Sequence, residues 1–314
     1  MEKLYDHGFS GQAEYTENKL ITEAYEKVLK INEIRNKKLQ GIKDVSSSRN
    51  KEEEELEMYH DEKMLQNIMR EKDFIGIYGA DKVKKDEKDV FNQEKIIKRD
   101  TDPQRLEDKK RSTVIEEIIF EQSVMADWLG EKTNVIKTAK YDDYFNHIDL
   151  VAEFDNSEKS IRNFINAGMA IDVTFSQDLD RKIARNKKEI DAGVLAEIEY
   201  IRSKNIKPGK LKNIPRFLIV LDRKTTDELI EIYLNGEKKE LNYHSVQNEI
   251  IGSIELQSAI YGYNCHGDKE KIYRGYKDIA KKILAEKNQK TARMTNGIKL
   301  LIQRLSQKFD IPEL

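Results

Sequence analysis

Two aspartates stand inside short apolar runs: Asp149 in "HIDLVAEF" and Asp172 in "AIDVTFS". A carboxylate in such a setting costs several kcal/mol unless something partners it, so each needs a structural counter-charge or a task. In an extended strand alternate residues share a face. Asp172, Thr174 and Ser176 therefore point one way and Ile171, Val173 and Phe175 the other, while Asp149 shares its face with Val151 and Glu153. Neighbouring strands would present both aspartates on one side. Two carboxylates that close repel, and at least one has its pKa raised. A divalent cation resolves the conflict. Mg2+ (or Mn2+) takes oxygen ligands, and one or two carboxylates plus a substrate phosphate suffice to place it. Such an ion polarises a phosphoryl oxygen and activates a bound water, which is the chemistry of phosphodiester hydrolysis. A further carboxylate could come from the preceding helix, where Glu117 and Glu121 lie one turn apart on one face. Glu121 is preferred because it interrupts an otherwise apolar stretch.

The order helix glutamate, then "IDLV", then "AIDVT", with the aspartates 23 positions apart, resembles the PD-(D/E)XK nuclease superfamily. That resemblance implies a restriction-endonuclease-like core with magnesium held by a helix glutamate, a strand aspartate and the acid of a (D/E)XK tripeptide. Glu121 (or Glu117), Asp149 and Asp172 match those places. Thr174 stands where the tripeptide has lysine, and threonine supplies no positive charge to the transition state. Some members of the superfamily carry the lysine on the following helix. Here "DRKIARNKK" offers Lys182 first, then Lys187 or Lys188. The resemblance spans roughly Ser112 to Asp222.

These residues need elements to position them. "STVIEEIIFEQSVMADWLGE" reads as a helix of about 17 residues, capped at Ser112 or Thr113 and closed by Gly130. Strands follow over 147–154, 170–176 and 216–222, the last ("RFLIVLD") a continuous apolar run suited to a strand covered on both faces. Between them the spacing predicts a short helical segment in "SEKSIRNFINAG" and a long charged helix from Leu179 to Ser203. The expected fold is α/β, a mixed sheet flanked by helices, over residues 111–314 with helices to the end of the chain. Residues 1–110 read as a charged helical or flexible region without a core of its own. They hold an amphipathic helix over Asn18–Leu39, a weaker one over Glu55–Phe74 and a linker over Gly79–Ser112.

Charged residues make up 36% of the 314-residue chain and the formal net charge is -2. A uniformly basic nucleic-acid coat is therefore excluded, although a local basic face is not. Residues 176–224 hold 13 lysines and arginines against 7 acids, and residues 264–314 hold 12 against 6. Both segments could flank a phosphate backbone. Tyr261, Tyr263, Tyr273 and Tyr276 could stack on bases, though their helical spacing also suits a core. The loop "YDDYFNHIDL" adds Asp142, Asp143 and His147 close to the first aspartate. A single cysteine, Cys265, excludes an intrachain disulfide and a CxxC metal site. No apolar run has the length of a membrane span, so a soluble cytoplasmic protein is expected.

The sequence thus leads to a magnesium-dependent nuclease, acting on DNA ahead of RNA. The alternatives are a nucleic-acid-binding or scaffold protein that keeps the fold without cleavage, and an interaction protein working through its N-terminal helices. Those helices could also mediate self-association or recruit a protein partner.

Overall fold

The computed structural model describes residues 8–40, 62–154, 168–174, 179–203, 206–287 and 294–311. The architecture is mixed α/β, with eleven α-helices, a four-stranded sheet and a two-stranded sheet among the described residues. No helix among them is long and apolar enough to cross a membrane.

The described residues of the N-terminal third are largely helical and contribute to the core. Helix α1 (Gly8–Leu39) places Ile21, Ala24, Val28 and Ile31 at full burial, at the three- and four-residue spacing of one face. A short α2 (Glu62–Gln66) and a 3-10 turn (Glu71–Phe74) occupy the described part of the second expected helix, and α3 (Ile75–Tyr78) follows it. The Gly79–Ser112 stretch is not a linker. It forms α4 (Ala80–Lys98) and the first turns of α5 (Pro103–Met125). Its inward face escaped the apolar pattern because Asp86 sits between Val83 and Val90, buried and accepting from the Tyr200 hydroxyl at 2.6 Å. Helix α5 starts nine residues before Ser112 because Asp102 caps it, accepting from the amides of Gln104 and Arg105, with Pro103 at the first position. The division expected at residue 110 therefore falls inside a continuous helix. Its core residues Val114, Ile115 and Ile118 share one cluster with those of α1, and Lys110 Nζ donates to Thr22 Oγ1 across that contact.

The main sheet has the order β1-β2-β3-β6, with β1 (Thr133–Lys137), β2 (Leu150–Phe154), β3 (Met169–Thr174) and, after the elements below, β6 (Arg216–Val220). The first three strands are antiparallel, and β3 and β6 run parallel. β1 was absent from the sequence expectation. The segment 155–167, which includes most of "SEKSIRNFINAG", lies outside the described residues, as do Phe175, Ser176 and the side chain of Thr174.

From β3 the chain enters α6 (Leu179–Asp191), which ends twelve residues before Ser203. Gly193, at φ +63°, takes the left-handed conformation that closes a helix. Beyond it Ala196, Ile198 and Tyr200 are buried while Glu197 is exposed, a two-residue alternation that makes β4 (Ala196–Ile201). β4 pairs with β5 (Gly209–Ile214) as a separate antiparallel ribbon. The ribbon covers one face of the main sheet, in a cluster with Val83, Ile136, Val151 and Ala170. The other face packs on α1, α5 and the C-terminal helices. These are α7 (Arg223–Asn235), α8 (Lys238–Asn242), α9 (Val246–Tyr263), α10 (Asp268–Glu286) and α11 (Asn296–Lys308).

Among the described residues no strand lies beyond β6, and a side chain satisfies its outer edge. Gln257 of α9, fully buried, accepts from the amide of Leu218 and donates to its carbonyl, both at 2.9 Å. Gln257→Leu keeps the volume but orphans two buried backbone groups, so it should destabilise the fold by about 2–5 kcal/mol. Chemical denaturation measures this directly, and a loss below ~0.5 kcal/mol would show that the edge is satisfied in another way.

Candidate functional site

β2 and β3 place the two aspartates against each other. Their register pairs Leu150 with Ile171, and the amide of Asp149 donates to the carbonyl of Ile171 at 2.9 Å. Extending it by one residue sets Asp149 directly opposite Asp172, where cross-strand Cβ atoms lie about 5 Å apart. The contact is made: Asp149 Oδ2 accepts from the amide of Val173 at 2.7 Å.

The loop leading into β2 is firmly held. His147 adopts the left-handed conformation at φ +53°, and Arg216, 5% exposed, donates to the carbonyls of Asn146 and His147 at 2.8 and 2.5 Å. Thr138 Oγ1 donates to the carbonyl of Ile148 at 2.5 Å. Asp142 is structural. Fully buried, it accepts from the amides of Glu199 and Tyr200 at 2.7 and 2.9 Å and from Asn146 Nδ2 at 2.6 Å, tying the loop to β4. One residue on, Asp143 turns the other way and joins Asp149, from whose carboxyl it takes a hydrogen bond. His147, whose surface remains exposed, is lowered to about 4 by partial desolvation and then by the positive charge of Arg185, which favours its neutral form near pH 7.

Four carboxylates therefore share one electrostatic environment: Asp149, Asp172, Asp143 and Glu116 of α5. Burial, followed by Glu116, Asp172 and Asp143, pushes Asp149 well above the usual carboxylate range. Burial, then Asp143, raises Glu116 to about 8, against Lys137 and Lys182. Burial raises Asp143 to about 6, against Lys137 and the bond from Asp149. The group is thus shifted toward its protonated forms, as expected where like charges meet with little water, and the hydrogen bond between Asp149 and Asp143 suits a proton held between the two.

Asp172 is 2% exposed and meets two cations, both from α6. Lys182 Nζ pairs with Oδ1 and also donates to the carbonyl of Val173 at 3.0 Å. Arg185 pairs with Oδ2. Positions 182 and 185 lie three apart on one helix face, which is how one element brings both charges to one carboxylate. Of the other lysines considered, Lys187 binds Asp191 at 3.0 Å and lies over the Phe309 ring, and Lys188 is exposed.

The helix acid in this group is Glu116, and the expected Glu121 and Glu117 face elsewhere. Being four apart they do share a face, but that face looks toward α1. Glu117, fully buried, pairs with Arg35 through Oε1 and with Lys137 Nζ through Oε2, the latter at 2.5 Å. Burial alone would raise it, and Lys137 and Arg35 together hold it at about 2. Glu121 is 6% exposed with no hydrogen-bond partner at Oε2 among the described residues. Burial, then Glu117, raises it to about 8. Glu116 is turned about 100° from Glu117 around the helix, enough to reach the sheet side. Nothing in the apolar pattern of "VIEEIIFEQ" separates the two adjacent glutamates. The tyrosines offered for stacking are mostly core: Tyr261, Tyr273 and Tyr276 are buried around Phe217, and Tyr263 alone of the four is exposed.

Glu121 carries its own pH signature. Its carboxyl titrates near 4.5 when unfolded and near 8 when folded. Its burial is therefore tolerated fully below pH 4.5, and stability is lost as pH rises through 8. Glu121→Gln should match wild type near pH 4.5 and exceed it by on the order of 2–4 kcal/mol at pH 9. Melting temperatures across that range test this, and a difference independent of pH would contradict it.

The donor set near Asp149 is oxygen-only and crowded with like charge, which fits a hard divalent cation. It is not preassembled. Among the described residues no group of three or more carboxylate, imidazole or thiol side chains stands ready to hold a metal ion, and Asp172 spends both oxygens on Lys182 and Arg185. No protein-family model, curated protein or solved structure matches the chain, so any assignment rests on the residues themselves.

Proposed function

We propose that the chain is a metal-dependent nuclease of the PD-(D/E)XK type, hydrolysing phosphodiester bonds of DNA ahead of RNA. The observation that carries this reading is Lys182. It rises from the helix after β3, touches Asp172 Oδ1, and acts electrostatically on Asp149, Asp143 and Glu116. It thus supplies the positive charge that Thr174 lacks. The order α5, β2, β3, α6 gives a helix acid, two strand aspartates and a lysine in the sequence that the resemblance calls for. Within that frame the restriction-endonuclease-like fold is part of the proposal. Asp149, Asp172 and Glu116 would hold the cation, Mg2+ or Mn2+, with Asp143 as a fourth carboxylate nearby. The bound ion would polarise the phosphoryl oxygen and lower the pKa of its water. Lys182 would stabilise charge developing on the phosphate. The raised carboxyls gain from the cation, because it relieves the repulsion that otherwise shifts the group toward its protonated forms.

A second reading is favoured by one observation: Asp172 is fully engaged by two basic side chains, as a structural or vestigial aspartate would be. The chain would then bind nucleic acid without cutting it. Kinetics of single variants separate the two. Lys182→Gln and Glu116→Gln should each lower metal-dependent cleavage by about 10²–10³-fold, while Glu121→Gln at pH 7 stays within about threefold of wild type. Equal rates for Lys182→Gln and wild type would remove the assignment of Lys182.

A further inference from the structure

The ion pairs on Asp172 are unequal. Lys182 has a second acceptor in the carbonyl of Val173 at 3.0 Å and is 15% exposed. Arg185 is 24% exposed, and its Nε is buried with no hydrogen-bond partner. Among the described residues Asp172 is the only carboxylate in ion-pair contact with it, Glu189 acting on it from farther away. Arg216, whose positive charge repels Arg185, is committed to Glu189 at 3.1 Å and to two backbone carbonyls. Arg185 is thus the less firmly anchored of the two cations, and it blocks the Asp172 oxygen that the donor set lacks. Its planar guanidinium, with an unused Nε–H beside the bonded Nη, can present two parallel donors to a phosphate.

We infer, resting on the nuclease reading, that Arg185 is a stored phosphate ligand: it covers Asp172 Oδ2 in the metal-free chain, yields that oxygen to a divalent cation, and then binds the backbone phosphate of the nucleic acid. Lys182 stays in place through Val173. Metal entry and substrate capture are coupled by the movement of one side chain, and the apparent metal affinity of the free chain is reduced by the fraction of time Arg185 occupies Asp172.

Calorimetric titration of Mn2+ into the full-length chain, without nucleic acid, tests the first half. Arg185→Gln should bind Mn2+ about five- to tenfold more tightly than wild type. Lys188→Gln removes the same charge from the same helix without touching Asp172 and should stay within about twofold. Asp172→Asn should lose binding. The second half is read from a fluorescent oligonucleotide in Ca2+, where Arg185→Gln should bind about tenfold or more weakly than wild type and Lys188→Gln about two- to threefold. Equal Mn2+ affinity in wild type and Arg185→Gln, with binding lost in Asp172→Asn, would overturn the inference and leave the metal-dependent reading standing. Tighter Mn2+ binding with unchanged oligonucleotide affinity would overturn the phosphate role. Mn2+ binding indifferent to Asp172→Asn, or absent from every protein, would overturn both.

Discussion

On the proposed nuclease reading, Asp172→Asn should lower metal-dependent cleavage by about 10³-fold or more, and Asp149→Asn should do the same, while each variant still folds. The size of the effect follows from the position of the pair. Each aspartate is the direct cross-strand neighbour of the other, so both would bear on one cation, and losing either removes a charged ligand from a poorly hydrated site. Asparagine keeps the shape and, at position 149, can still accept from the amide of Val173. At position 172 the change releases Lys182 and Arg185, which are 15% and 24% exposed and so regain water. Melting temperatures should therefore fall by only a few degrees. Rates of labelled-DNA cleavage at saturating Mg2+, alongside melting curves, check both halves. Activity above about a tenth of wild type in either variant would remove that aspartate from the site.

The largest expected loss of stability lies outside the acidic group. Arg35 is 1% exposed, reaches from α1 to Glu117, and faces Glu121 beside it. Arg35→Met leaves two buried glutamates with Lys137 alone as a nearby counter-charge on Glu117. Breaking a buried pair from one side typically costs about 3–5 kcal/mol, or about 5–8 °C in melting temperature for a chain of this size. The double variant Arg35→Met with Glu117→Leu should recover part of that loss, since removing both charges avoids a stranded carboxylate. The interaction energy of the cycle separates the pair from simple loss of packing. An Arg35→Met chain as stable as wild type would mean that α1 docks through its apolar stripe alone.

Much of the arrangement was legible in residue spacing, and what was missed has physical causes. The strand runs around Asp149 and Asp172 and the run "RFLIVLD" are seen as β2, β3 and β6, because apolar alternation and continuous apolar runs report burial directly. The lysine on the following helix could be named because a helix start after β3 confines which positions return to it. Helix α4 reads as a linker in the sequence because one of its inward positions is Asp86, whose partner Tyr200 lies 114 residues away. β4 was absorbed into a helix because charged residues fill its outer face and only Gly193 marks the change. Glu121 and Glu117, the two candidates in the sequence, both face away from the aspartates, for a related reason. An acid interrupting an apolar stretch does mark a buried carboxylate, but Arg35, far away in sequence, is what it faces. Burial was readable there, and the partner was not.

The most direct test is to incubate the full-length chain with labelled single- and double-stranded DNA and with RNA, in Mg2+, in Mn2+ and in excess chelator. Cutting of DNA that requires the cation, stops with the chelator, and exceeds cutting of RNA is the expected result. Binding of the same substrates without cleavage under either cation would contradict the nuclease assignment and leave Asp149 and Asp172 as parts of a nucleic-acid-binding scaffold.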